Sequence, residues 1–423
     1  MQANDPKYAN YVQILKEELV PAMGCTEPAA IAYAAALARK ELGCLPGRVL
    51  IEVSGNIVKN VKSVVVPNTG GLKGIEAAAA AGIIAGKSEK KLEVIAEVSG
   101  EQKKEIEAYL KSAQFEVRMA DTGRIFDIIV TCFSGDSSAK IQIADFHTNV
   151  ILVEKDGKIR YSNDGKGEAQ ETDRSLLSVE SIIDFADTLR LEDVREIIER
   201  QIDFNSAISV EGLRGKYGAN IGRVLMTGYG DDIKLRAKAA AAAGSDARMS
   251  GCELPVVILS GSGNQGITAS LPVIEYAKEL KTGREDLIRS LVVADLITVH
   301  LKTGIGRLSA YCGVVSAGAG AGAGIAYLHG GRMEEIAHTI VNALAIDSGM
   351  VCDGAKPSCA AKIATAVDAG IMGYEMYKNG QQFYGGDGII AKGVENTIKN
   401  ISRLGKEGMK ETDREIIRIM LNE

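Results

Sequence analysis

The sequence predicts an α+β protein: a mostly helical main domain with a smaller α/β domain inserted near the N-terminus. Three observations lead there. Helix-forming residues dominate roughly 6–42, the composition shifts near residue 46 to short β-branched runs, and beyond a polar stretch near residue 165 almost everything again reads as helix. This gives N-terminal helices over 1–45 packing with the helical part, an α/β domain over 46–165 and a helical domain over 175–423. The length of 423 residues fits two domains, with three allowed.

Each element has a local cause. In the first stretch, EPAAIAYAAALARKEL joins strong helix formers to a proline near the first turn. The runs RVLIEVSGNIV, VKSVVVP, FEVRMA, IFDIIVTCF, AKIQIADFH and NVILVEK are bounded by Gly, Asn and Asp and read as strands. Two helices, IEAAAAAGIIAG and KKEIEAYLKSA, interleave with them. DGKIRYSNDGKGEAQETDRS is the linker. From LLSVESIIDFADTLRL onward the pattern is helical, except at the Gly-rich breaks SGSGNQG, DSGMVCDGAKPSC and FYGGDG.

With 46% hydrophobic and 25% charged residues, the chain has the balance of an ordinary globular protein. A formal net charge of −6, with no basic cluster, argues against a nucleic-acid partner. The N-terminus is polar and carries no apolar h-region, and no stretch reads as a membrane span, so a cytoplasmic protein is expected. The seven cysteines are odd in number and unevenly spaced, which weighs against disulfides and towards metal or catalytic roles. The sequence allows a homodimer but does not specify one.

Several segments could carry chemistry. GSGNQG (261–266) follows the apolar run PVVIL and opens a helix. No second strand ending in an acidic residue follows, so the dinucleotide reading fails its context test. What remains is a helix start whose free N–H groups at Ser262, Gly263, Asn264 and Gln265 hold a small anion such as an amino-acid carboxylate, or a tight helix start with no ligand. In SGNIVKNVKSVVVPNTGGLKG (54–74), Asn56, Lys59, Asn60, Lys62, Asn68 and Lys73 crowd polar donors around a Gly-Gly turn. An exposed hairpin and an anion pocket both account for it.

Cys312 precedes a Gly/Ala-rich helix, and Cys352 and Cys359 flank a Gly/Pro break before another. Loop cysteines near helix starts present thiolates, which iron–sulfur clusters and zinc require, but the C-x6-C spacing matches no common zinc pattern. Cys25, in GCTEP, also precedes a helix, which favours its thiolate. Cys44, Cys132 and Cys252 read as structural, and His147, His300, His329 and His338 as structural or surface residues. No specific motif marks a pyridoxal-phosphate lysine; Lys302 and Lys356 are the candidates.

PAMGCTEPAA, SGNIVKNVKSVVVPNTGGLKG, SGSGNQGITASLP, YCGVVSAGAGAG, GMVCDGAKPSCAAK and FYGGDGI together resemble the L-cysteine desulfidase family. These are oxygen-labile iron–sulfur lyases related to the iron–sulfur L-serine dehydratases. The resemblance runs over nearly the whole chain, and the combination is more specific than any one segment. It makes residues 175–423 an iron–sulfur catalytic domain and implies that Cys312, Cys352 and Cys359 hold a 4Fe-4S cluster. The last pair lies closer in sequence than in serine dehydratases, and a competing set is Cys25, Cys312 and Cys352. In the first set one iron stays open to bind the substrate thiolate. Cys25 would remove the α-proton of L-cysteine, and β-elimination would yield pyruvate, ammonia and sulfide. The GSGNQG helix start would hold the carboxylate, with Asn56, Lys59 and Asn68 closing the pocket. The alternatives are L-serine dehydration on the same scaffold, a pyridoxal-phosphate lyase and a non-catalytic iron–sulfur sensor.

Overall fold

A computed structural model describes residues 1–2, 4–163, 172–230, 232–306 and 308–421. It is 60% helical with a small mixed sheet, an α+β fold with a mostly helical domain. The chain begins with α1 (Pro6–Glu18), β1 (Pro21–Met23) and α2 (Thr26–Leu42). The N-terminal helices expected over 1–45 are thus α1 and α2, separated by β1. Pro21 lacks the N–H a helix interior needs and biases Val20 towards extended backbone, so β1 can pair elsewhere.

The sheet unit follows: β2 (Arg48–Val53), α3 (Gly55–Val61), α4 (Ile75–Ala85), α5 (Gly100–Ser112), β3 (Gln114–Met119), β4 (Asp127–Ser134), β5 (Ser137–Ala144), β6 (Val150–Lys155) and β7 (Lys158–Ser162). Strand order is β3-β2-β4-β5-β6-β7. Only β2–β3 is parallel, because three helices intervene between those strands; the other pairs are antiparallel. In β2, Val49, Ile51 and Val53 are buried in alternation with half-buried neighbours, as one covered face requires.

Three local expectations change here. SGNIV does not extend β2. Ser54 ends the strand, its hydroxyl donating to the Ile125 carbonyl at 2.8 Å, and α3 starts at the next residue. VKSVVVP forms no strand beyond an isolated bridge between Val65 and Lys73. In the expected linker, residues 158–162 form edge strand β7, paired to β6, while residues 164–171 lie outside the described residues.

The helical part comprises α6 (Val179–Thr188), α7 (Arg195–Arg214), α8 (Ile221–Tyr229), α9 (Ile233–Met249), β8 (Pro255–Val257), α10 (Gly263–Leu280), α11 (Arg284–Ile305), α12 (Gly313–Leu328), α13 (Met333–Asp347), α14 (Cys359–Lys378), α15 (Val394–Arg403) and α16 (Lys410–Leu421). The buried apolar residues form two large cores. One gathers α1 with the helical part; the other gathers α2, α3 and α4 with the sheet. The first 45 residues, expected to pack as one body with the helices, are thus divided: Tyr11 and Leu15 of α1 enter the helical core, and Ile31 and Ala35 of α2 enter the sheet core. β1 pairs antiparallel with β8, Pro21 opposite Val257, and stitches the two parts together just before Cys25.

Candidate functional site

A cavity of about 110 Å³ lies between the two parts. On the helical wall two distant loops meet. Cys312 precedes α12, and its amide donates to the Met350 carbonyl at 3.0 Å; the Cys352 amide donates to the Ala310 carbonyl at 2.6 Å. An antiparallel bridge joins Tyr311 to Val351 between them. This backbone clamp sets Cys312 beside Cys352, although forty positions separate them. Their thiols are neighbours and act on one another's protonation. The hydrogen bond from Cys312 holds Cys352 well below the ordinary thiol range, against the pull of burial, with Lys59, the Gly354 amide and Lys302 adding to it; Cys312 is pushed up by the same pairing and by burial. Cys359, the first residue of α14, has its thiol 3.6 Å from the Gly354 carbonyl. All three cysteines line the cavity.

Gly354 fixes the distance between the walls. Its φ is +92°, and a Cβ there would fall 2.0 Å from the Lys59 carbonyl oxygen. Only glycine admits that approach of α3 to the cysteine loop. Lys59 is 2% exposed, lines the cavity and pairs with Asp413 of α16 at 2.5 Å. Asp353 braces the loop through ion pairs to Lys356 and Lys362.

On the sheet-side wall Cys25 caps α2 and is 3% exposed. Its thiol donates to Glu27 Oε2 at 3.1 Å. Burial first, then the Glu27 charge, pushes the Cys25 thiol well above its ordinary value, with Arg248 opposing. The helix start alone would favour a thiolate; burial beside a carboxylate outweighs it. Burial raises Glu27 too, but His147 and the hydrogen bonds from Cys25, its own backbone amide and Thr26 hold it below the ordinary carboxylate range. Glu27 Oε1 accepts from Asn60 Nδ2 at 2.9 Å. The Thr26 hydroxyl lies 3.0 Å from both Glu27 Oε2 and the Gly261 carbonyl, tying this wall to the loop before α10.

Of the residues expected from the 261–266 helix start, Ser262, Asn264 and Gln265 line the cavity. Gly263 does not; its α-carbon packs against the Arg248 guanidinium. Gln265 Oε1 is buried with no hydrogen-bond partner. Asn56 and Asn68, expected to close the pocket, do not line it. Asn68, at φ +59°, spends its amide on the carbonyls of Ile95 and Ala96 at 2.8 and 3.3 Å, so it fixes a turn. Asn56 sits one helical turn before Asn60, which occupies the wall instead.

Sequence reasoning missed Glu27 and Arg248, named Asn60 only within the polar crowd of 54–74, and set His147 aside as structural or surface. His147 lines the cavity, its ring edge-on to Phe126 at 4.8 Å. A carboxylate two positions from Cys25 was the one legible sign. Lys302 lines the cavity and donates to the Gly306 carbonyl at 2.5 Å, whereas Lys356 does not line it. Cys44, Cys132 and Cys252 lie elsewhere, and all seven cysteines are free thiols.

Among the described residues, no three His, Cys, Asp or Glu side chains converge as a single metal ion would require. Cluster ligands each hold a different iron and need not converge on one point. Three thiols around one cavity, one of them held towards thiolate beside Lys59 and Lys302, fit a bound anionic cluster. No helix among the described residues is long and apolar enough to cross a membrane.

The family model described as serine dehydratase alpha chain matches residues 89–418. A UPF0597 protein of Desulfitobacterium hafniense is 66% identical, covering 100% of this chain and 99% of its own length. UPF0597 proteins of Lachnoclostridium phytofermentans and Treponema denticola are 52% and 46% identical, covering 98% and 100% of this chain and the whole of their own lengths. With that match over most of its length, and with a thiol-lined cavity suited to the cluster on which the family depends, the chain belongs to the iron–sulfur serine dehydratase alpha chain family, in its UPF0597 group.

Proposed function

We propose that this protein is a carbon–sulfur lyase that converts L-cysteine to pyruvate, ammonia and sulfide. The observation that carries the reading is the placement of the buried Cys25–Glu27 pair and three further cysteines on opposite walls of one cavity. Cys312, Cys352 and Cys359 would hold a 4Fe-4S cluster. When bound, it supplies a Lewis-acidic iron with an affinity for a soft sulfur leaving group.

The chain's own residues do the rest. Cys25 is the base for the α-proton. It acts as the thiolate, once its own proton is lost to water, and Glu27, which accepts a hydrogen bond from the thiol, orients the sulfur. Asn60 and Thr26 hold Glu27 in position. Ser262, Asn264 and Gln265, at the start of α10, face the substrate's polar end. Lys59 and Lys302 offset the negative charge gathered at the cysteines. The elimination product, aminoacrylate, tautomerises and hydrolyses in water.

L-serine is the competing substrate, favoured by the description of the matching family model. Anaerobic protein with reconstituted cluster, assayed on L-cysteine and L-serine side by side, decides between them. Sulfide and pyruvate should form from L-cysteine with a higher kcat/KM than pyruvate forms from L-serine. The reverse order would make the protein a serine dehydratase, and no turnover of either, with the cluster intact, would favour a sensor.

A further inference from the structure

Arg248 lies in the last turn of α9 and is 2% exposed, the largest fully buried side chain among the described residues. A guanidinium stays charged at any working pH, so its burial calls for an anion. The described residues give it none. Nε donates to the Gly24 carbonyl at 3.0 Å and Nη1 to Asn264 Oδ1 at 3.0 Å, both neutral acceptors. Among the described residues no carboxylate pairs with it, yet the side chain lines the cavity. Its position is built in: a Cβ on Gly263 would fall 2.3 Å from Arg248 Nε, so only glycine at the first position of α10 lets the guanidinium lie there. The first-turn amides of α10 have no partners within the helix. Beside them, Gln265 Oε1, 5% exposed, is without a hydrogen-bond partner, an acceptor for the ammonium group of the same amino acid.

We propose that Arg248, with the first turn of α10, is the seat of the substrate α-carboxylate and the residue that restricts the enzyme to free amino acids. This deepens the lyase reading and rests on it. The geometry also orients the substrate. Arg248 holds the carbonyl of Gly24, the residue before Cys25, so a carboxylate bound there brings the α-carbon to Cys25 and directs the β-substituent across the cavity towards Cys312 and Cys352.

The test compares L-cysteine with L-cysteine methyl ester, which lacks the charged carboxylate, on anaerobic holoenzyme and on Arg248→Lys and Arg248→Met. Wild type should prefer L-cysteine. Arg248→Met should lose roughly 100-fold in kcat/KM on L-cysteine, mainly through KM, and little on the ester, so the preference collapses. Arg248→Lys should recover part of the loss. Iron and sulfide content should match wild type. A well-folded Arg248→Met that keeps the full preference overturns the proposal. Because these variants can fail to fold, calorimetry on wild type gives a second arm: L-alanine should bind and L-alaninamide should bind at least tenfold more weakly, and equal binding overturns the proposal. That arm needs no turnover. An enzyme that discriminates between the two but eliminates nothing from L-cysteine would sink the lyase reading while keeping the carboxylate seat.

Discussion

On the helical wall of the cavity, the reactive groups stand at helix starts: Ser262 before α10, Cys312 before α12 and Cys359 opening α14. Backbone contacts place them, and close helix packing through Gly and Ala keeps them there. On the sheet-side wall, side chains hold one another: Cys25 on Glu27, Glu27 on Asn60 and Thr26, Lys59 on Asp413. A wall set by backbone tolerates a change of side chain without moving its neighbours. A wall set by a polar network does not, since losing one member leaves a buried group unsatisfied. The same contrast separates two buried carboxylates. Glu27 accepts from Cys25, Thr26 and Asn60 and stays ionised. Asp295, inside the helical body, accepts only from Gln201 Nε2, at 2.9 Å, and burial pushes it to about 7.

The largest effects should come from the cysteines on the two walls. Cys352→Ala should lose iron, acid-labile sulfide and visible absorption together with all activity. Cys25→Ser should keep the cluster while turnover falls roughly 10²- to 10⁴-fold, and the α-proton of L-cysteine should cease to exchange with deuterated solvent. If Cys25→Ser also loses its iron, the division of labour between the walls is wrong and Cys25 is a ligand.

Asp295 offers the next test. Its folded pKa lies above the usual carboxylate value, so the folded state holds the extra proton. Stability is unburdened below about pH 4, falls as pH rises and is lowest above about pH 7. Asp295→Asn removes that burden, and its gain in unfolding free energy should be roughly 3 kcal/mol larger at pH 8.5 than at pH 5. A gain independent of pH would mean that Asp295 titrates normally.

Overpacking probes both cores. A Cβ on Gly212 would lie 2.0 Å from the Ala243 carbonyl oxygen in the helical core, and one on Gly82 would lie 2.1 Å from the Ala32 carbonyl oxygen in the sheet core. Each Gly→Ala change should cost roughly 1–3 kcal/mol in denaturant melts. A loss at only one site would show that the other core relaxes freely.

The smallest effect on catalysis is expected at Asn68. With its side chain spent on the carbonyls of Ile95 and Ala96, Asn68→Gly should lower the melting temperature but leave kcat/KM of the folded enzyme within about twofold, inside the range of a neutral change. A larger drop would return Asn68 to the pocket.

Much of this was legible in the chain. The sheet helices IEAAAAAGIIAG and KKEIEAYLKSA and the strands around Ile128, Ile141 and Leu152 follow from periodicity and composition, which are local properties. Cys25, Cys312, Cys352 and Cys359 stood out because a cysteine beside a helix start is a local signature, and all four line the cavity. Pro21 is the local signal that separates α1 from α2. SGNIV misled because its apolar residues suit either a strand or a short helix.

By itself, the sequence determined the α+β class, the helix starts and the cysteines available to a cluster, since each depends on residues within a few positions of one another. Only the tertiary structure decided that Glu27, Asn60, His147 and Arg248 share the cavity, that Asn68 turns away from it, and that burial beside Glu27 pushes the Cys25 thiol up. Burial and partners far along the chain set the charge and direction of those groups. The Arg248–Gly24 and Thr26–Gly261 contacts join residues more than two hundred positions apart, and no local pattern encodes them.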